Sequence, residues 1–131
     1  MTLVVDTSAL TAVVLGEPDA ETYLATMVAR IGDLTVSAPT LLEARIVVEA
    51  KQGPGAAKDL DLLLGTLQVT IAPADEALIE VATAAWRRFG KGRHPAALNF
   101  GDCFSYALAR QLGAPLLFKG RDFSQTDITA G

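Results

Sequence analysis

Four short strand-forming runs, separated by stretches of helical periodicity, constrain this chain more than anything else in it. Leu3-Val4-Val5, Leu34-Thr35-Val36-Ser37, Gln68-Val69-Thr70-Ile71 and Pro115-Leu116-Leu117-Phe118 are each too brief to form an amphipathic helix. The last is continuously apolar, as a strand covered on both faces must be. Between them lie helical signals. Thr7 or Ser8 can cap a helix running through Leu15, and Pro18 opens another bearing Ala20, Leu24, Met27, Val28 and Ile31 at helical spacing. Pro39 and Thr40 open a third helix, with Ile46, Val47 and Ala50 on its apolar side. Gln52-Gly53-Pro54-Gly55 breaks it, and Ala56, Leu60, Leu63, Leu64 and Leu67 mark a fourth. Leu78, Val81, Ala82, Ala85, Trp86 and Phe89 give the cleanest amphipathic pattern, stopped by Gly90. A sixth helix runs from about Gly101 to Leu112 and ends at Gly113. Strands alternating with helices predict an α/β domain over residues 1–131, with a parallel sheet of four to five strands and helices on both faces. The fifth strand would lie near Asp127-Ile128.

Composition removes several function classes. Half of the 131 residues are apolar and 20% are charged, which excludes intrinsic disorder. One cysteine, Cys103, rules out a disulfide scaffold, and one histidine, His94, rules out a zinc site of several imidazoles. Fifteen acids against eleven bases give a net charge of −4, unlike a protein that coats nucleic acid. No basic leader or long apolar run appears, so a cytoplasmic protein without a membrane association is expected.

Sheets of this kind bind ligands outside the carboxyl ends of their strands, where the strand order reverses. Asp6 closes the first run, Glu43 lies in the first turn of the helix after the second, Asp102 opens the helix before the fourth, and Asp122 follows the fourth. Four carboxylates on one rim repel one another, and a hard divalent cation relieves that repulsion. Oxygen donors select Mg²⁺, with Mn²⁺ as a substitute, and such a site suits phosphodiester hydrolysis. Thr7, Ser8 and Ser105 stand beside the acids and can orient them. Each acid also has a plain structural reading. Thr40 to Glu43 matches a capping box, Asn99 to Asp102 has cap-like spacing, and Asp6-Thr7-Ser8 suits a strand-to-helix turn. Phe104 and Tyr106 fit either core packing or base stacking.

Arg87, Arg88, Lys91 and Arg93 put four of the eleven bases within eight positions, and no acid lies between positions 81 and 99. The helix dipole accounts for Arg87 and Arg88. Lys91, Arg93 and His94 in the following loop are candidates for contact with a nucleic-acid backbone.

Val4-Val5-Asp6-Thr7-Ser8-Ala9-Leu10, Glu17-Pro18, Leu42-Glu43, Leu98 to Ala109, and Leu116 to Phe123 with Thr126-Asp127-Ile128 resemble, in order, the motifs of PIN-domain ribonucleases, and among them the VapC toxins of bacterial toxin–antitoxin pairs. The resemblance implies a Mg²⁺-dependent RNA endonuclease, a VapB-type antitoxin partner and a homodimer. It implies that the acids matching Asp6 and Asp102 hold the metal, with Glu43 and an acid of the last motif completing the cluster. Many members of the family carry an acid where this chain has Arg121. Asp122 is therefore preferred over Asp127 as the fourth acid, and Arg121 becomes a candidate for bidentate contact with a substrate phosphate. A receiver domain or haloacid-dehalogenase phosphatase fits less well, because the first strand offers only Asp6, and no phosphate-binding Gly-x-x-x-x-Gly-Lys loop is present. The non-enzymatic alternative is an RNA- or partner-binding module whose metal site has decayed.

Overall fold

The computed structural model describes all 131 residues, Met1–Gly131. Its centre is a four-stranded parallel sheet of β1 (Leu3–Val5), β2 (Leu34–Ser37), β3 (Thr70–Ala72) and β4 (Leu116–Leu117), in the order β3-β2-β1-β4. Leu3 pairs with Leu34 on one side of β1, and Val5 pairs with Leu117 on the other. The chain builds outward from β1 to β3 and then crosses back to place β4 against β1. The strand order therefore reverses between β1 and β4, which defines the crevice in which such sheets bind ligands.

Alternation along β1 divides the core. Val4 faces one apolar cluster with α5 (Glu76–Phe89) and α6 (Phe100–Leu112). Leu3 and Val5 face the other, built with α1 (Thr7–Val14), α2 (Ala20–Val28), α3 (Ala38–Gln52) and α4 (Pro54–Thr66). Helices thus cover both faces, and every side chain of β1 is sealed.

Several elements depart from the periodicity. In α3 the buried positions are Thr40, Ala44 and Val48, while Ile46 is 58% exposed. Small residues at i, i+4 and i+8 let α3 approach its neighbours closely, which outweighs the larger aliphatic side chains one turn face away. Of the apolar set in α2 only Met27 is fully buried; Val28 and Ile31 are exposed. The α1 cap is neither Thr7 nor Ser8 but Asp6, whose carboxylate accepts the Ser8 N–H. The expected fifth strand is reduced to one parallel bridge, Leu116 with Ala130, closed by the Gly131 N–H to the Leu116 carbonyl. Gly113, at φ +58°, ends α6 in the left-handed conformation its sequence position predicts. No helix is long and apolar enough to cross a membrane.

Candidate active site

The β1/β4 crevice opens onto acids from four different segments. Asp6 is 4% exposed, because it belongs at once to the end of β1 and to the cap of α1. Its Oδ2 accepts from the Ser8 N–H at 3.0 Å and the Ser8 hydroxyl at 2.7 Å. Its Oδ1 accepts from the Ser105 hydroxyl of α6 at 2.5 Å. The Lys119 N–H just past β4 donates to Ser8 Oγ at 2.9 Å, tying the two strands of the crevice together at its mouth.

Asp102 stands in the first turn of α6, where Asn99 and Asp102 form a reciprocal capping box. The Asp102 N–H donates to Asn99 Oδ1 at 2.9 Å, and the Asn99 N–H donates to Asp102 Oδ2 at 3.0 Å. Burial nonetheless pushes the Asp102 carboxyl up to about 7, and the charges of Asp6, Asp122 and Glu43 add to that rise against the lowering effect of the Asn99 N–H. The Ser105 bond to Asp6 and the contact of Glu43 with Gly101 bring Asp6, Glu43 and Asp102 to the start of α6, and the charge of Asp122 also bears on Asp102.

Glu43 projects from α3, and the predicted Thr40–Glu43 capping box does not form. Ser37 caps α3 instead, accepting the Thr40 N–H at 3.2 Å, with Pro39 in the first turn. Released from capping, Glu43 accepts the Thr7 hydroxyl at 2.5 Å and lies directly over Gly101. A Cβ at position 101 would overlap the Glu43 carboxylate, so the glycine leaves the space in which that carboxylate sits. Asp122 is exposed and precedes a single 3-10 turn, Phe123–Gln125.

Asp127, the alternative fourth acid, is engaged elsewhere. It accepts the Tyr106 hydroxyl at 2.5 Å and pairs with Arg88 at 3.3 Å and Arg110 at 3.6 Å. Burial opposes its charge, but the Tyr106 bond and the two guanidiniums win and hold its carboxyl below the usual range. Its partner Tyr106 is pushed up to about 12 by burial and by that same bond. Tyr106 and Phe104 both pack in the core.

The donor chemistry of the rim fits a hard divalent cation. Every side chain there offers oxygen, His94 lies in a separate loop, and Cys103 is buried with its thiol pushed up by burial and by Asp102. The acids face one another without forming a closed cage: no three acidic, imidazole or thiol groups lie within joint reach of one ion. Asp6 and Glu43 are instead held by hydroxyls, and Asp102 by its cap.

The basic loop is less irregular than its sequence suggests. Gly90 bridges Leu98, and the Arg93 and His94 N–H groups both return to the Gly90 carbonyl. His94 Nδ1 accepts the Ala96 N–H at 3.0 Å, and its ring stands edge-on to Phe89, so the imidazole closes the loop. Arg93 lies 4.5 Å over the Trp86 ring, and both it and Lys91 are exposed. Arg121 is exposed with no side-chain partner in the protein. Lys119 is instead committed to Glu17 at 2.9 Å and Asp19 at 3.1 Å. Two features escaped the sequence reading: the buried hydroxyls of Ser37 and Thr40, and an apolar cavity of about 520 Å³ between α5 and α6, beside the fully exposed Phe100 ring. The capping signal at Ser37 was present in Ser-Ala-Pro-Thr, where proline in a first turn points to a cap just before it.

The PIN domain family model matches residues 3–128. The chain is 48% identical over 128 residues to Ribonuclease VapC of Mycolicibacterium smegmatis, covering 98% of each. It is 47% identical over 126 residues to Ribonuclease VapC30 of Mycobacterium tuberculosis, covering 96% of this chain and 95% of the other. Among solved structures, M. tuberculosis VapC20, described as a sarcin-ricin loop cleaving toxin, superposes with a TM-score of 0.83 at 20% identity, over 99% and 98% of the two chains. FitAcB of Neisseria gonorrhoeae does so with a TM-score of 0.72 at 21% identity, over 98% and 96%.

Proposed function

This chain belongs to the PIN-domain family and, within it, to the VapC ribonucleases; from that premise we propose that it is a Mg²⁺-dependent RNA endonuclease and the toxin of a type II toxin–antitoxin pair. The observation that carries the proposal is the meeting of Asp6, Glu43 and Asp102 at the β1/β4 crevice, with the charge of Asp122 also bearing on Asp102. Lys119, the nearest ammonium along the chain, is turned to Glu17 and Asp19.

Asp6 and Asp102 would hold Mg²⁺, or Mn²⁺ in its place, and Glu43 and Asp122 would complete the cluster. When bound, such an ion supplies a positioned, more readily deprotonated water and neutralises charge on the phosphoryl group in the transition state. The protein's part is positioning. Ser8 and Ser105 fix both oxygens of Asp6, Thr7 fixes Glu43, and Gly101 leaves room for the Glu43 carboxylate. Asp102 would have to be deprotonated to act as a ligand, so loading at pH 6 should release close to one proton and loading at pH 8 almost none. Lys91, Arg93 and Arg121 offer the exposed cations for the RNA backbone.

The deciding experiment incubates pure protein with single-stranded RNA and Mg²⁺, with and without chelator. Cleavage that chelator abolishes supports the reading; RNA binding without cleavage at any Mg²⁺ concentration leaves the non-catalytic module. A VapB-type antitoxin and a homodimer complete the proposal. Expression alone should arrest growth of a bacterial host, co-expression of the neighbouring antitoxin should restore it, and light scattering should give twice the chain mass.

A further inference from the structure

Behind Asp6 lies a chain of hydroxyls that the capping and core roles of its members do not explain. Ser37 Oγ donates to Thr40 Oγ1 at 2.7 Å, Thr40 Oγ1 meets Ser105 Oγ at 3.3 Å, and Ser105 Oγ donates to Asp6 Oδ1 at 2.5 Å. Ser37, Thr40 and Ser105 are all 2% exposed or less. A hydroxyl carries one proton, and a carboxylate only accepts. Ser105 spends its proton on Asp6, so Thr40 must be the donor to Ser105, and Ser37 the donor to Thr40. The chain therefore has one direction, ending on the Asp6 oxygen opposite the one held by Ser8.

Thr40 Oγ1 accepts the Ser37 hydroxyl, and the only group placed to take its own proton is Ser105. The α3 cap is Ser37, which accepts the Thr40 N–H, and Thr40 Oγ1 bonds to no backbone group. Burying a hydroxyl is costly where a methyl would fill the same space, unless its bonds are needed. We propose that Thr40 is a positioning residue for the nuclease reaction: acting through Ser105, it fixes the Asp6 carboxylate in the orientation from which Asp6 holds the divalent cation. This rests on the assignment of Asp6 as a metal ligand. The linkage runs from the end of β2 through α3 and α6 to the end of β1, and so joins the two helices that carry Glu43 and Asp102.

The test is Thr40→Val, nearly equal in volume, compared with Thr40→Ser, which keeps the hydroxyl. Mg²⁺ affinity is read by calorimetry and by the rise in Tm on adding Mg²⁺, independently of cleavage. Thr40→Val should weaken Mg²⁺ binding by about tenfold, the size typical for a partner of a ligating side chain. KM for RNA should stay unchanged, and Thr40→Ser should return Mg²⁺ affinity to within about twofold of wild type. Wild-type Mg²⁺ affinity in folded Thr40→Val overturns the proposal, as does equal weakening in Thr40→Ser, which would assign the effect to packing of the methyl group. Should Thr40→Val not fold, Thr40→Ala carries the same expectation and is overturned by the same result. Wild-type protein that binds no Mg²⁺ at millimolar concentration overturns the nuclease reading as well, and so separates the two failures.

Discussion

Two carboxylates along α6 live in opposite conditions. Asp102, in its first turn, is pushed up to about 7 by burial and by three other acids, with only its capping bonds in compensation. Asp127, docked against the later turns, is held below the usual range by Tyr106, Arg88 and Arg110. The same helix thus carries one acid whose charge the protein leaves unsupported and receives from the C-terminal tail another whose charge it supports. Proteins satisfy buried charge almost everywhere, so an acid left in deficit marks a place where something else brings the missing charge. The acid with good partners fastens the C-terminal tail; the acid with poor ones is the one proposed above as a metal ligand.

The largest effect should come from removing each charge in turn. Asp102→Asn, and likewise Asp6→Asn, should lower Mg²⁺-dependent RNA cleavage by at least about a thousandfold, since a ligand to the ion is lost. Asp127→Asn should leave cleavage within about threefold of wild type. Equal losses in gel-based cleavage assays would erase the distinction between the two acids.

Stability without metal should separate them in the other direction. A carboxyl whose folded pKa is raised binds its proton more tightly in the native state, so its contribution falls as pH rises from about 4 to about 7. Asp102→Asn should flatten that decline and stabilise the metal-free protein at pH 7.5 by up to about 2 kcal/mol, after allowance for solvent screening at the half-open rim. Asp127 works with the opposite sign. Its folded pKa is lowered, so its support is complete above the unfolded value and disappears as pH falls through the folded one. Urea unfolding from pH 3.5 to 8 checks both slopes, and Tyr106→Phe should cost about 1–2 kcal/mol at pH 7 by removing the bond to a charged acceptor.

The smallest effect concerns how RNA reaches the rim. Arg93→Glu should weaken binding to metal-free protein about threefold to tenfold and lower the log–log salt slope by roughly 0.7 for a single strand. Arg93→Ala should do less. Arg88, already paired with Asp127, is the matched control, and its charge reversal should disturb stability more than affinity. Unchanged affinity and slope for Arg93→Glu would leave the loop a connector and shift attention to Arg121.

What was legible in the sequence followed from local rules. Leu3-Val4-Val5 running into Asp6, and the i, i+3, i+4 spacing of α5, place a strand end and a helix face by themselves. Each of the four acids was visible because it interrupts or borders an apolar run. What stayed hidden depends on pairs distant in sequence. The Ser105 bond to Asp6 spans 99 positions, and the Lys119 N–H to Ser8 spans 111. Nothing in Ser37-Ala38-Pro39-Thr40 shows which hydroxyl caps and which reaches across to α6. The buried face of α3 is set by spacing rather than size: Ile46 and Val47 look like core, yet Ala44 and Val48 share the face of Thr40 on successive turns. The basic loop misled in part, since His94 reads as a surface cation and acts as an internal hydrogen-bond acceptor.

The two acids assigned to the metal are also helix-starting residues, and this bears on how the family can drift. Asp6 caps α1, and Asp102 completes the capping box of α6. A lineage that abandons nuclease activity still needs an oxygen acceptor at both positions to begin those helices, worth about 1 kcal/mol each. Asp and Asn serve that need about equally, so selection for folding alone would hold an oxygen acceptor at each position without demanding its charge. Thr40 and Ser105 offer no such shelter: neither caps a helix, and once Asp6 has no ion to orient, an aliphatic side chain serves the interior as well. On the role proposed for Thr40, loss of those two hydroxyls with an oxygen acceptor still at positions 6 and 102 is what a member released from nuclease activity should show.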